Sequence, residues 1–239
     1  MRIDIWSDIV CPYCSLGKVR FEKALAAFPH RDEVEVAWHS FELDRHAEPV
    51  STETLPEMIA TKYGVSHEQA LAQHEALAAS AAEEGLTFAW REARPGNTHD
   101  AHRLTHLAAD RGLQAEAVAR LMRAYFSEGE AIGDRDTLVR LGAEIGLPEA
   151  DVRAMLESDD YGNHVRSDEA TAKMLGIESV PFFVFDRKYG VSGAQPPEVF
   201  TQALETAWEH RHEVPEPAAV GGGCGGGCGA GGCGGACGA

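Results

Sequence analysis

Cys11 and Cys14, spaced by two residues in IVCPYCSLGK (9–18), are the side chains of this chain best suited to chemistry. Such a pair can staple a loop, supply half of a metal site, or cycle between dithiol and disulfide. The staple is weak, because closing so short a loop removes little entropy from the unfolded chain. A metal needs two more ligands, usually a second C-x-x-C or a histidine pair, and the sequence has no second C-x-x-C. Redox chemistry fits the surroundings better. RIDIWSDIV ahead of the pair alternates as a buried strand does, and PYCSLGKVRFEKALAAF behind it carries Leu16, Val19, Phe21, Leu25 and Phe28 at helical spacing. The pair therefore falls at a strand-to-helix turn, with Cys11 at the helix N-terminus. Unpaired amide N–H groups and the helix dipole favour negative charge there, and cysteines in such positions ionise at about 3.5–7.5 instead of ~8.5. Cys11 is assigned as the attacking thiol and Cys14, one turn later, as the resolving thiol. Pro12 suits the first helical turn, where its missing N–H is not needed. Tyr13 is exposed by position and is expected to touch substrate.

Composition narrows the setting. The 239 residues carry a formal charge of −17, which argues against partners such as nucleic acid or anionic lipid. No apolar run is long enough for a bilayer, so no membrane role is expected. Asp4 and Asp8 break up the N-terminus, which reads as no signal peptide and hence a cytoplasmic protein. In that compartment disulfides tend to be catalytic or transient. The six cysteines are also unlike a structural framework: two open the chain and four lie in its last sixteen residues.

The elements that must position the pair follow from periodicity. EVEVAWHSFEL (33–43) alternates as a second strand, completing a β-α-β start. From about Pro49 to Gly176 the pattern is helical. Ser66 and Gln69 form a capping box, Asn97 or Thr98 can cap HDAHRLTHLAADRG, and Gly112 and Gly129 bracket QAEAVARLMRAYFSE. DRDTLVRLGAEIG, PEADVRAMLES and NHVRSDEATAKMLG follow, the last ending at Gly176. PFFVFD and YGVSGA then make a hairpin about RKYG, and PPEVFTQALETAWEHRHE closes as a helix. The sequence thus divides into a β-α-β half (1–45), a helical insertion (46–176), a β-β-α half (177–213) and a Gly/Cys-rich tail (214–239) whose composition predicts disorder. The two β-α-β strands should pair in parallel because a helix crosses between them, and both RIDIWSD and PFFVF should join one short sheet.

CPYC at this position, the helices inserted between the two halves, and SVPFFVF (179–185) together resemble the DsbA-like thioredoxin-fold oxidoreductases. WHSFELD (38–44) and NTHDAHRL (97–104) are similar to segments of the FrnE-type subgroup. The resemblance covers residues 1–212. It implies an α/β thioredoxin fold with a large all-helical insertion, and thiol–disulfide oxidoreductase or isomerase chemistry on protein or small-molecule thiols and disulfides. It carries over Cys11, Cys14 and Pro181. By itself a proline at a strand start is most often an edge-strand residue; in this fold it is cis, faces the C-x-x-C and turns the backbone of Val180 toward the substrate disulfide. No cofactor beyond the redox-active disulfide is implied, with glutathione or another small thiol as a co-substrate, and no metal. Exported members work in oxidising compartments, so net direction is open here. Pro-Tyr also occurs in glutaredoxins, at about −200 to −230 mV against −120 mV for DsbA, and an intermediate potential is expected. One rival is a glutathione-dependent isomerase or transferase of the related 2-hydroxychromene-2-carboxylate isomerase/kappa type, which typically has serine in place of Cys11. A second is a thiol-rich metal- or partner-binding protein working through its tail. The oligomeric state is not set by the sequence.

His99, His102 and His106 share one helical face beside Arg103. The plain reading is a solvated basic face; the sharper one is a polar cleft wall in which His102 or Arg103 steadies the Cys11 thiolate or holds a carboxylate substrate; a three-histidine metal site is least favoured. His39 is read as hydrogen-bonded locally in its strand, Trp6, Trp90 and Trp208 as packing residues, and Phe182, Phe183 and Phe185 as core strand. Asp8 either tunes the thiolate or ends the strand. In the tail, Cys224, Cys228, Cys233 and Cys237 stand among glycines, and a flexible arm of n residues spans about 5–6 Å × √n. That brings them within roughly 20–30 Å of the last helix, close enough to visit CPYC as an internal dithiol shuttle; binding of a soft metal is the alternative.

Overall fold

The computed structural model describes residues 1–212, forming four strands and nine α-helices. β1 (Arg2–Ser7), α1 (Pro12–Ala27) and β2 (Glu35–Ser40) make the first unit, with β1 and β2 parallel and Ile5 opposite Trp38. β3 (Phe182–Phe185) and β4 (Tyr189–Ser192) form the hairpin, and α9 (Pro197–Glu209) follows. β3 runs antiparallel to β1 with Ile5 opposite Phe183, so the sheet order is β2-β1-β3-β4. The first and last halves of the fold thus meet in one sheet, with β1 in its interior. The reason is apolar: Ile3, Ile5, Phe183 and Phe185 are wholly buried, and the Phe21 ring of α1 and the Phe200 ring of α9 pack on Phe183 at 5.5 and 4.7 Å between centroids. This is a thioredoxin fold with a helical insertion, as the sequence implies.

The insertion comprises α2 (Leu55–Tyr63), α3 (His67–Glu83), α4 (His99–Ala109), α5 (Gln114–Glu128), α6 (Arg135–Glu144), α7 (Glu149–Glu157) and α8 (Gly162–Met174). Ser66 and Gln69 close the expected capping box. A second box, Thr54 with Glu57, starts α2, a helix the periodicity did not single out. Among the described residues no helix is long and apolar enough to cross a membrane.

Three expectations need correction. The first two strands are shorter than their alternation suggests, because Asp8–Val10 turns toward α1 and residues 31–33 form a short 3-10 helix. The hairpin turns one residue early, on Asp186 and Arg187 at φ +51° and +59°. Most importantly, α4 presents no solvated basic face. It packs against α5, α6, α7 and α8, so Ala101 through Thr105 are all buried and His106 nearly so. Its buried His102 and Arg103 have partners from other segments. The predicted last helical residue, 213, and the tail with Cys224, Cys228, Cys233 and Cys237 lie outside the described residues.

Candidate active site

The site is built where β1 hands the chain to α1. After Ser7 the backbone turns through Asp8, whose carbonyl accepts from the Cys11 amide at 3.2 Å. Cys11 is the N-cap of α1 in extended conformation (φ −84°, ψ 113°), and Pro12 occupies the first turn. The Cys11 carbonyl accepts from the amides of Cys14 (3.0 Å) and Ser15 (3.2 Å), so the helix begins on the first cysteine. Both cysteines are free thiols. Both are also buried, Cys11 to 4% exposure and Cys14 to 1%. Burial pushes the Cys14 thiol well above the ordinary cysteine range, and hydrogen bonding with Cys11 and its charge push the same way; the Ser7 hydroxyl and the Asp8 amide oppose them.

From the other half of the fold, the loop before β3 closes over the pair. The Val180–Pro181 bond is cis. The Cys11 thiol donates to the Val180 carbonyl at 3.7 Å, and the Pro181 carbonyl accepts from the Gly193 amide at 2.8 Å. Gly17 makes this approach possible: a Cβ there would lie 2.9 Å from Pro181 Cγ and 3.4 Å from both Ala194 Cα and the Phe183 ring. A glycine inside a helix costs about 1 kcal/mol relative to alanine, and that mid-helix cost is the sequence signal that could have found it. Pro12 is half-buried and Tyr13, at 55% exposure, stands free at the rim.

The other sequence candidates divide. His102 is 2% exposed, and its Nε2 pairs with Asp8 Oδ1 at 3.2 Å; the second Asp8 oxygen accepts from the Leu43 amide at 2.8 Å. Asp8 is fully buried, so it does more than end a strand. Arg103 points elsewhere. Its Nε donates to the Asp160 carbonyl (2.8 Å), Nη1 to Asp100 (2.6 Å) and Nη2 to the carbonyls of Met155 and Ser158. Four of the five guanidinium N–H donors are thereby used, and they tie down the chain at the end of α7 instead of a substrate.

His39 is not bonded locally. Its Nδ1 and Nε2 reach Asp168 of α8 and Asp4 of β1, each at 2.8 Å, while the Trp6 ring stacks on it at 4.5 Å. Burial works against its charge, but the two carboxylates outweigh it and push its pKa up to about 9. Asp168 also takes His106 Nε2 (3.1 Å) and the Ser40 amide (2.8 Å), and these partners overcome its burial and hold its carboxyl well below the usual range. The cluster joins the sheet to the insertion. The histidines of α4 therefore do not converge on a metal, and among the described residues no His, Cys, Asp and Glu group could hold one. Beside the segment leading to Val180 lies a cavity of about 300 Å³, lined by Phe41, Glu42, Arg45, Lys173, Ile177 and Glu178 among others.

A model of the DSBA-like thioredoxin domain matches residues 2–205. The chain belongs to the DSBA-like thioredoxin domain family. Within that family it is similar to a probable DsbA oxidoreductase of Streptomyces coelicolor, at 48% identity over 92% of this chain and 94% of the other, with a TM-score of 0.85. Two more distant structures share the fold of this DsbA-like protein. One is the cytosolic disulfide reductase DsbM of Pseudomonas aeruginosa, 20% identical, covering 87% of this chain and 99% of that one at a TM-score of 0.61. The other is a 2-hydroxychromene-2-carboxylate isomerase, 15% identical, covering 88% and 95% at a TM-score of 0.61.

Proposed function

We propose that this DsbA-like protein is a thiol–disulfide oxidoreductase or isomerase in which Cys11 attacks and Cys14 resolves. The observation that carries the reading is the Cys11 thiol at the N-cap of α1, set against the Val180 carbonyl, with Cys14 buried in the first turn that follows. In the reducing direction the Cys11 thiolate attacks a substrate disulfide and forms a mixed disulfide. Cys14 then attacks Cys11 Sγ and expels the second substrate thiol. Glutathione or another small thiol, or a protein dithiol, returns the pair to its starting state. Val180, Pro181, Pro12 and Tyr13 form the surface on which substrate lies, and the setting is cytoplasmic.

The measurement that tests the reading is the Cys11–Cys14 reduction potential against glutathione, together with insulin reduction by the Cys11→Ser and Cys14→Ser variants. Loss of turnover in Cys11→Ser, and a trapped mixed disulfide in Cys14→Ser, are the expected results. Likeness to an isomerase fold makes one alternative concrete: a glutathione-dependent isomerase would need added glutathione and would tolerate Cys14→Ser. For the tail, the shuttle proposal expects truncation after Val220 to slow turnover at an unchanged CPYC potential. Full turnover in the truncated protein would leave the tail to metal binding or to no role in the cycle.

A further inference from the structure

Cys11 and Val180 lie 169 positions apart and meet through a thiol–carbonyl contact of 3.7 Å. Such a contact is weak, so the loop that carries Val180 and Pro181 needs other anchors. The Pro181 carbonyl accepts from the Gly193 amide at 2.8 Å, which ties the proline to the turn after β4. Gly193 has φ +81°, a conformation that residues with a side chain rarely adopt, and the next carbonyl, that of Ala194, accepts from Arg20 Nη1 at 2.8 Å. Arg20 stands on α1 one turn beyond Gly17, the residue that Pro181 and Ala194 both approach. The Arg20 side chain is fixed in turn from the insertion. Its Nε donates to Glu84 Oε1 at 2.6 Å, and Lys23 Nζ holds Glu84 Oε2 at 2.5 Å. Glu84 is the C-cap of α3. Lys23 and Arg20 together keep its carboxyl below the ordinary range, so the brace stays charged where thiols react. The Arg20 and Glu84 side chains are 20% and 14% exposed, which shields this pair more than the open surface pairs that contribute little. A guanidinium presents its donors in a fixed fork; here the fork spans a carboxylate of the insertion and a backbone carbonyl of the β-β-α half.

We infer that Arg20 is a positioning residue for the substrate surface: through Ala194 and Gly193 it sets where Pro181 and Val180 stand over Cys11, with Glu84 of the insertion as its brace. This inference rests on the dithiol reading proposed above and deepens it, because it concerns how a disulfide is presented to Cys11 and leaves the sulfur chemistry as described. The chain of contacts is continuous. Glu84 fixes the guanidinium, the guanidinium fixes the Ala194 carbonyl, and the neighbouring Gly193 amide fixes the Pro181 carbonyl. Without Arg20 the 193–194 turn keeps its packing against Gly17 but loses the hydrogen bond that stops it sliding along α1. The effect depends on the size of the substrate. A polypeptide must lay its backbone against Val180 while its sulfur meets Cys11, so a displaced loop costs it alignment. A small disulfide needs only the sulfur and is indifferent to the loop. The end of α3 thereby acts on substrate presentation without touching either cysteine, and the insertion takes part in the choice between polypeptide and small-molecule disulfides.

The test sets two disulfides against one series of proteins. The full-length protein carries Cys224→Ser, Cys228→Ser, Cys233→Ser and Cys237→Ser, so that only Cys11 and Cys14 react. Reduced protein is mixed with an excess of insulin or of hydroxyethyl disulfide, and loss of its two thiols is followed by acid quench, alkylation and mass spectrometry. Arg20→Met, which keeps the aliphatic stem, should slow the reaction with insulin on the order of 10-fold, a fraction of the ~100-fold that a misplacement of about 1 Å can cost. The reaction with hydroxyethyl disulfide should change less than about twofold, and the Cys11–Cys14 potential should stay where it is. Glu84→Ala should slow insulin by roughly threefold, and the double variant should be no slower than Arg20→Met, because the brace acts only through the guanidinium. If Arg20→Met fails to fold, Glu84→Ala carries the test with the same pair of disulfides. A lower urea midpoint with both rates unchanged, or equal slowing with both disulfides, overturns the assignment. Failure of the parent protein to form a Cys11–Cys14 disulfide with either substrate would instead sink the dithiol reading.

Discussion

Two histidine–aspartate clusters, the first partly buried and the second buried, are anchored four residues apart, one on Asp4 of β1 and one on Asp8 of the turn that follows. Around Asp4, His39 is bracketed by two carboxylates at 2.8 Å and roofed by Trp6, so it is held charged and fixed. Around Asp8, the buried His102 has one carboxylate partner at 3.2 Å, and both histidines border a small cavity that Ser7 also lines. The first cluster joins the sheet to the insertion through Asp168. The second joins the turn ahead of Cys11 to α4. The same pair of residue types is a charged latch where two carboxylates share one imidazole and a single buried contact where only one reaches it.

That contrast can be broken at either end. Removing the attacking sulfur has the largest effect: Cys11→Ser should abolish insulin reduction, by at least ~1000-fold, or about 4 kcal/mol of barrier, while the urea midpoint barely moves. His39→Leu should do the opposite. It removes the shared cation and leaves Asp4 with Arg2 and Asp168 with His106, a change that costs about 1.5–3 kcal/mol, read as a lower urea midpoint, with insulin reduction intact in the folded protein. If His39→Leu slowed insulin reduction and spared stability, His39 would belong to the reaction and not to the latch.

The latch should also show in pH. The His39 pKa is raised to about 9 from 6.5, so its contribution is complete below about 6.5 and is lost as pH climbs through 9. Asp168 and Asp4 are lowered, so theirs is present above the ordinary carboxylate range and is lost in acid. Urea stability should therefore be highest from about pH 4 to 6.5 and fall on the alkaline side by on the order of 2–3 kcal/mol. In His39→Leu the alkaline fall should flatten; an equally steep fall would assign it to other groups.

A methyl group tests how closely the two halves of the fold must meet. Gly17→Ala puts a Cβ 2.9 Å from Pro181 Cγ, an overpacking that costs roughly 1–3 kcal/mol, and it should slow substrate attack beyond what that loss of stability explains. The smallest change is expected at the rim. Tyr13 is exposed, so Tyr13→Ala should shift stability by less than about 0.5 kcal/mol and show itself as a raised KM. A falling kcat with unchanged KM would place the ring in the reaction instead of in substrate contact.

The sequence by itself determined the order of elements and the place of the cysteines, because those depend on neighbours along the chain. Alternation and helical spacing set β1, α1 and β2, and a C-x-x-C at a strand-to-helix turn puts one sulfur at a helix start whatever the rest of the fold does. Pro181 at the head of a strand was legible too, though only the resemblance gave it a partner. What the sequence could not supply was which polar residues pair across the fold. His39 and Asp168 lie 129 positions apart and His102 and Asp8 lie 94 apart. Their meeting depends on how the insertion returns to the sheet, which no local period encodes. For the same reason α4 looked like a solvated basic helix: a charged side chain reads as exposed until a partner from a distant segment makes its burial affordable. Tertiary structure decided that Arg103 holds carbonyls at the end of α7, that Gly17 lets α1 approach Pro181, and that Ser7 lines a small cavity with His39 and His102. Those are facts of packing, fixed only when two segments far apart in sequence compete for the same few ångströms.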